Sequence, residues 1–206
     1  MTPTLHRSCA IVAAVLLAAG CATPYVLVQP ERQTVGGVIS VQPGMKWNKV
    51  TITDYRGNVE VWTLDGPVLN TLVFFTGVRD GEPLFTRAQR PGQPAPEKPA
   101  VFRATMNPVE VQELLEATVA RYFQTTIAEG HNLKAVPMAN GQGFRFETRL
   151  IGRDEVERDG VFVGTIRASK LYGAWFQGAK LHYFSRYLPE FDRLLASAQL
   201  VGEAAR

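Results

Sequence analysis

Asn107-Pro108-Val109-Glu110-Val111-Gln112-Glu113-Leu114-Leu115-Glu116-Ala117-Thr118-Val119-Ala120-Arg121-Tyr122-Phe123, continuing through Gln124 to Gly130, decides the fold class. Asn107 has the side chain to accept bonds from free N–H groups at a helix start, Pro108 suits the first helical position, and Glu110 completes a capping box. Met106 and Val111 are placed to staple the entry. Val111, Leu114, Leu115, Thr118, Val119, Tyr122, Phe123 and Ile127 recur at helical spacing, so one face is apolar. With Gly130 read as the left-handed terminator, the pattern predicts a helix over 108–129, with His131 just beyond its carbonyl end, where a cation complements the dipole.

The flanks read as strand. Phe144, Phe146, Thr148 and Leu150 alternate with Arg145, Glu147 and Arg149, the period of a strand with one buried face. Residues 161–168 and 171–177 follow, separated by turns at Arg153–Gly160 and Ser169-Lys170; Leu133–Val136 precedes, before a turn at Asn140–Gly143. Upstream, Val50–Tyr55 and Val59–Leu64 flank Arg56-Gly57-Asn58, a hairpin signal, and Val68–Thr76 returns after Asp65-Gly66-Pro67, giving a three-stranded meander. Gly37–Val41 and Tyr25–Val28 are shorter candidates. Pro189 opens a last helix with Phe191, Leu194, Leu195 and Ala198 inside. Strands joined by tight turns, with a long and a C-terminal helix to cover them, specify an α+β domain built on antiparallel sheet.

The N-terminus carries an address. Arg7 leads into the apolar run Ala10–Ala19, too short to span a bilayer and right for a secretory h-region. Leu16-Leu17-Ala18-Ala19-Gly20-Cys21 resembles a bacterial lipobox, with Ala18 where Leu is commoner. That resemblance implies cleavage before Cys21, a lipid on its thiol and amine, and a membrane as the first partner. Ala22, in place of an Asp, implies export to the outer membrane, facing the periplasm. The chain divides into a signal at 1–20, a lipidated N-terminus and short tether at 21–36, and one domain at 37–206. The two cysteines are Cys9, in the signal, and Cys21, so no disulfide is available to the body of the domain.

The arrangement also resembles the MOG1/PsbP-like α/β/α sandwich. The matching pieces are Val41-Gln42-Pro43-Gly44-Met45-Lys46-Trp47, Tyr183-Phe184, and Phe191-x-x-Leu194-Leu195-x-Ser197, within residues 37–200. Val61–Pro67 is similar to a segment of uncharacterised proteobacterial lipoproteins. The resemblance implies a binding or assembly role and lends no catalytic motif.

The residues themselves offer little chemistry. A net charge of +3 with interleaved signs argues against a nucleic-acid partner. Beyond the signal only His131 and His182 are available as imidazole ligands, and no His-Glu-x-x-His or Cys-x-x-Cys occurs, so neither a metal nor a cofactor is expected. There is no Gly-x-Ser-x-Gly elbow; a His182–Ser185 pair is all that a hydrolase could use. Asp154, Glu155, Glu157 and Asp159 sit in a charged turn, where carboxyls are solvated rather than tuned for acid catalysis. Two features point to recognition. Trp175, Phe176, Tyr183 and Tyr187 form a dense aromatic cluster, either core or a partner surface. The segment 86–100, with Pro91-x-x-Pro94 and Pro96-x-x-Pro99, reads as an extended, mobile loop or a rigid polyproline ligand. The expected function is non-enzymatic: binding a protein or envelope component, with a small-ligand or lipid-binding module as the alternative and a hydrolase with a non-standard site behind both.

Overall fold

The computed structural model describes residues 24–89, 92, 98–125 and 127–202. Cys21, the stretch read as a signal, Pro91, Pro94 and Pro96 lie outside the described residues. In chain order the elements are β1 (Tyr25–Val28), β2 (Gln33–Val35), β3 (Ile39–Val41), β4 (Trp47–Val50), β5 (Tyr55–Arg56), β6 (Val59–Thr63), β7 (Asn70–Arg79) and β8 (Thr86–Arg87). They continue as α1 (Pro108–Phe123), β9 (Ala128–Met138), β10 (Gly141–Ile151), β11 (Glu157–Arg167), β12 (Lys170–Ala179), α2 (Tyr183–Ala196) and β13 (Gln199–Leu200).

One eight-stranded antiparallel sheet, ordered β1-β4-β6-β7-β12-β11-β10-β9, forms the centre. Its central strands β7, β11 and β12 are buried on both faces because each face is covered. On one side α1 lays Val111, Leu114, Leu115 and Val119 over Val73, Phe75, Phe146, Phe162 and Trp175. On the other, α2 lays Tyr187, Phe191, Leu194 and Leu195 over Trp47, Trp62, Phe74, Val161 and Phe176. The small sheet β13-β3-β2 adds Val35, Ile39, Val41 and Leu200 to this second layer. The result is an α+β fold built on antiparallel sheet, as the sequence pattern implied, with helices on both faces.

Helix α1 begins as expected. The Asn107 side chain accepts from the N–H groups of Val109 and Glu110, and Glu110 accepts from the N–H of Asn107. It ends sooner than 129. Gln124 takes the left-handed conformation, φ 53°, and the Thr125 N–H reaches back to the Ala120 carbonyl. The chain then enters β9, so Gly130 is not a cap and His131 does not face a helix end; His131 Nε2 lies 3.4 Å from Glu147 on β10. Gly130 serves close packing instead. Its N–H bonds Glu116 Oε1 of α1 at 2.8 Å, and a Cβ there would stand 2.5 Å from that same oxygen.

Other boundaries move for local reasons. The β9–β10 and β11–β12 hairpins turn on Ala139-Asn140 and Ala168-Ser169, each pair at positive φ, one or two residues earlier than the Gly and Lys signals suggested. The meander β4-β6-β7 forms, but not through a hairpin at Arg56-Gly57-Asn58. β4 pairs with β6 through Asn48↔Thr63 and Lys49↔Trp62, while Tyr55-Arg56 leaves the sheet to pair with β8. Tyr55 is drawn away by the rings of Phe85 and Tyr122, with centroids at 5.1 and 4.4 Å. Pro189 lies inside α2, which starts at Tyr183.

Candidate functional site

The aromatic cluster divides between the two cores instead of forming one surface. Trp175 and Phe176 are neighbours on β12 and face opposite ways, both fully buried. Trp175 donates to Thr148 Oγ1 at 3.1 Å beneath α1; Phe176 stacks on Phe184 and Phe191 beneath α2. Tyr187 is buried on α2, with Arg186 over its ring at 5.3 Å, and Tyr183 is half-buried beside His182. Alternation cannot separate core from surface on a strand covered on both faces, and this is why the sequence left Trp175 and Phe176 ambiguous.

The groups that converge on an open space come from elsewhere. A cleft of about 640 Å³ opens on the α1 side of the sheet near β1. The loop after β4 brings Ile52, Thr53 and Asp54; the β5/β8 ribbon brings Tyr55 and Arg87; the last turn of α1 brings Tyr122 and Phe123; the β10–β11 loop brings Arg153 and Asp154, and β11 brings Arg158. Pro67 and Val68 complete the rim.

Two carboxylates organise the cleft. Asp54 accepts from the Tyr122 hydroxyl at 2.7 Å and from Arg87 Nε at 3.0 Å. Burial pushes the Asp54 carboxyl up, but these two donors and the Arg87 charge outweigh it and hold it below the usual range. Burial drives the Tyr55 and Tyr122 hydroxyls well above their ordinary range, and for Tyr122 the neighbouring Tyr55 and Asp54 add to the rise. Both therefore stay protonated, and the Tyr122 hydroxyl is the donor to Asp54. The second carboxylate, Asp154, receives Arg158 Nη1 and Nη2 at 3.0 and 2.6 Å, a bidentate clasp that brings its pKa down to about 2. The Asp154 side chain is 47% exposed whereas that of Arg158 is 5% exposed, so the clasp lies across the cleft wall. Asp154 is thus engaged rather than simply solvated. Arg87 stands over the Tyr122 ring at 5.7 Å and Arg158 over Phe123 at 5.8 Å. Arg153 donates to the neutral amide of Gln124 at 2.6 Å.

The arrangement presents guanidinium, hydroxyl and aromatic surfaces in one concavity, which suits a ligand with anionic or hydroxyl groups and an apolar or ring face. The carboxylates are occupied by intramolecular donors, so neither stands ready as a free base. His182 is exposed and contacts Arg186, with Nη1 at 3.0 Å; Ser185 is also exposed. Among the described residues no group of three or more His, Cys, Asp or Glu could hold a metal ion.

A second, larger groove of about 800 Å³ lies at the other end of α1. Pro108 and Val109 face Leu133–Ala135 of β9, Gln142–Phe144 of β10, and Thr165 and Ile166 of β11. It is mainly apolar, with Lys134 its one cation, and the helix N–H groups at its mouth are already taken by Asn107.

Sequence reasoning noted Tyr122 in another role, placed Arg153, Asp154 and Arg158 in a charged turn, and passed over Asp54 and Arg87. Their separations along the chain form no motif, and only the Arg153-Asp154…Arg158 spacing carried a local signal of pairing.

No family model matches the sequence, and neither does any curated protein. Among solved structures, the chain is similar to LpqN of Mycobacterium tuberculosis, described as involved in cell envelope biogenesis, with 6% identity over 89% of this chain and 88% of that one. The TM-score is 0.33, and a likeness of that degree carries no argument about function.

Proposed function

We propose that this chain is a lipid-anchored protein of the bacterial envelope, held at the outer membrane through Cys21, which binds an envelope component in the cleft around Asp54, Tyr122 and Arg158. The α/β/α layering is in keeping with the MOG1/PsbP-like resemblance of the sequence, whose members serve mostly in binding and assembly. One observation carries the choice of binding over catalysis: both cleft carboxylates are engaged by arginine or tyrosine donors, Asp54 by Arg87 and Tyr122 and Asp154 by Arg158. Such pairs set shape and charge, whereas an acid or base needs a proton position left open to substrate.

A photo-crosslinking amino acid at Gln124, in the cleft, should capture an envelope component in living cells, and the capture should be lost with Arg153→Glu. The same probe at Val109, in the second groove, should capture none. The opposite pattern would favour a small-ligand or lipid-binding module, because the second groove is the larger and more apolar space. Absence of capture at both positions would refute the binding reading.

A further inference from the structure

We infer that the edge formed by β1 and the adjoining rim of the cleft is a bilayer-docking surface, with Tyr25, Val26, Leu27, Ile52 and Val68 resting in the lipid headgroup layer. The inference rests on the anchoring of Cys21 proposed above.

Tether length comes first. Cys21 precedes Pro24 by three residues, and an extended chain covers about 3.5 Å per residue, so the lipid attaches within about 10 Å of Pro24. A domain of this length has a radius of gyration of about 16 Å, so a sphere of that size is roughly 40 Å across. The anchor therefore cannot let the domain turn freely; whichever surface surrounds Pro24 is held against the membrane. That place is known. The Pro24 carbonyl accepts from the Thr51 N–H at 2.9 Å, and Tyr25 lies opposite Val50. Ile52 is the next residue along, and it shares the cleft rim with Val68.

The surface at that place is apolar. Among the described residues, ten large apolar side chains stand exposed, and five of them are Tyr25, Val26, Leu27, Ile52 and Val68. Ile52 is 66% and Val68 71% exposed, costly in water and favourable in contact with acyl chains. Charge permits the same contact. The carboxylates lining the cleft, Asp54 and Asp154, are paired with Arg87 and Arg158, and Arg153 adds a cation bonded only to a neutral amide among the described residues. At these two positions an anionic headgroup meets carboxylates that are already paired.

The test uses the full lipoprotein, extracted from its membrane and reconstituted into vesicles of phosphatidylethanolamine and phosphatidylglycerol. Single cysteines at Val26, Ile52, Val68 and, for comparison, Val109 are labelled with an environment-sensitive fluorophore. Val109 is 51% exposed but lies about 20 Å along α1 from Tyr122. Each would be the sole free thiol, because Cys9 leaves with the signal and the Cys21 thiol is acylated. Doxyl-labelled phospholipid should quench the labels at 26, 52 and 68 several-fold more than the label at 109. Adding Ile52→Asp and Val68→Asp together should return the label at 26 to the level of 109.

Intact mass separates the two layers of the argument. An unacylated Cys21 would refute the anchoring and the docking with it. An acylated Cys21 with equal quenching at all four positions would overturn the docking alone. Shielding of 26, 52 and 68 from aqueous iodide without doxyl quenching would mean that protein, a second copy or another chain, covers the face, and would likewise overturn the proposal.

Discussion

Replacing Asp154 with Asn tests the clasp that builds the cleft wall. The substitution keeps size and shape but removes the charge that Arg158 holds through two hydrogen bonds. In the folded protein the Asp154 pKa is about 2, against an ordinary value of 3.8, chiefly through the Arg158 hydrogen bonds. At the limit of no screening that depression corresponds to about 2 kcal/mol. With the Asp154 side chain 47% exposed, solvent screens much of that, leaving about 1 kcal/mol. The sign follows from the depressed folded value. The contribution is complete above the ordinary carboxylate pKa and is lost as pH falls from 3.8 through about 2. Urea unfolding of wild type and Asp154→Asn should differ by about 1 kcal/mol at neutral pH, and the two should converge at the acid end of that window, where wild type carries a neutral carboxyl too. A gap that stays constant across the titration, or that widens in acid, would refute the electrostatic account of the clasp.

Leu115→Ala should cost about 2–5 kcal/mol in the urea midpoint, and toward the upper half, because Leu115 is fully buried under α1; an unchanged midpoint would contradict the packing of that helix. Asn107→Ala removes the acceptor for two N–H groups and should cost about 1 kcal/mol, read from the thermal midpoint, with Asn107→Asp nearly neutral. Deleting residues 88–98 removes the Ala88 N–H bond to the Asp54 carbonyl and the Lys98 carbonyl that accepts from Arg121, and should lower stability by about 1–2 kcal/mol while circular dichroism still shows a cooperative transition. Cys21→Ser should abolish labelling by radioactive palmitate in cells, and persistent labelling would place the lipid elsewhere.

The start of α1 was legible because a capping box is local: Asn107, Pro108 and Glu110 determine it within four residues. Its end was not. Ile127 continues the helical spacing of Tyr122 and Phe123, and Gly130 imitates a terminator, yet the Ile127 carbonyl accepts from Ile151 and the chain turns into β9. What competes with the helix there is a partner strand about twenty residues ahead, which no window around Gly130 contains. Pro189 misled in a similar way: the helix is entered earlier because Tyr187 and Phe184 gain cover beneath it, and that gain outweighs the missing N–H inside. Strand alternation found β10, whose outward residues are charged, and said little about β12, whose two faces both lie in core. The cleft was illegible for a further reason. Asp54, Arg87, Tyr122 and Arg158 are brought together by a strand leaving the sheet, a ribbon, a helix end and a hairpin, and each looks like an ordinary surface residue in its own stretch of sequence.

The two edges of the eight-stranded sheet are defended unequally, and this bears on self-association. At β9, Glu116 of α1 occupies the Gly130 N–H, Pro137 has no N–H to offer, and Lys134 adds charge. β1 is short, exposed and apolar over Tyr25-Val26-Leu27, the composition on which a strand from a neighbouring molecule can add. A lipidated chain docked as inferred keeps that edge turned to the membrane from the moment it is anchored. The Cys21→Ser form should carry it open to water and self-associate more readily, which sedimentation can read. On that reading, anchoring would also cover a short apolar template for strand addition.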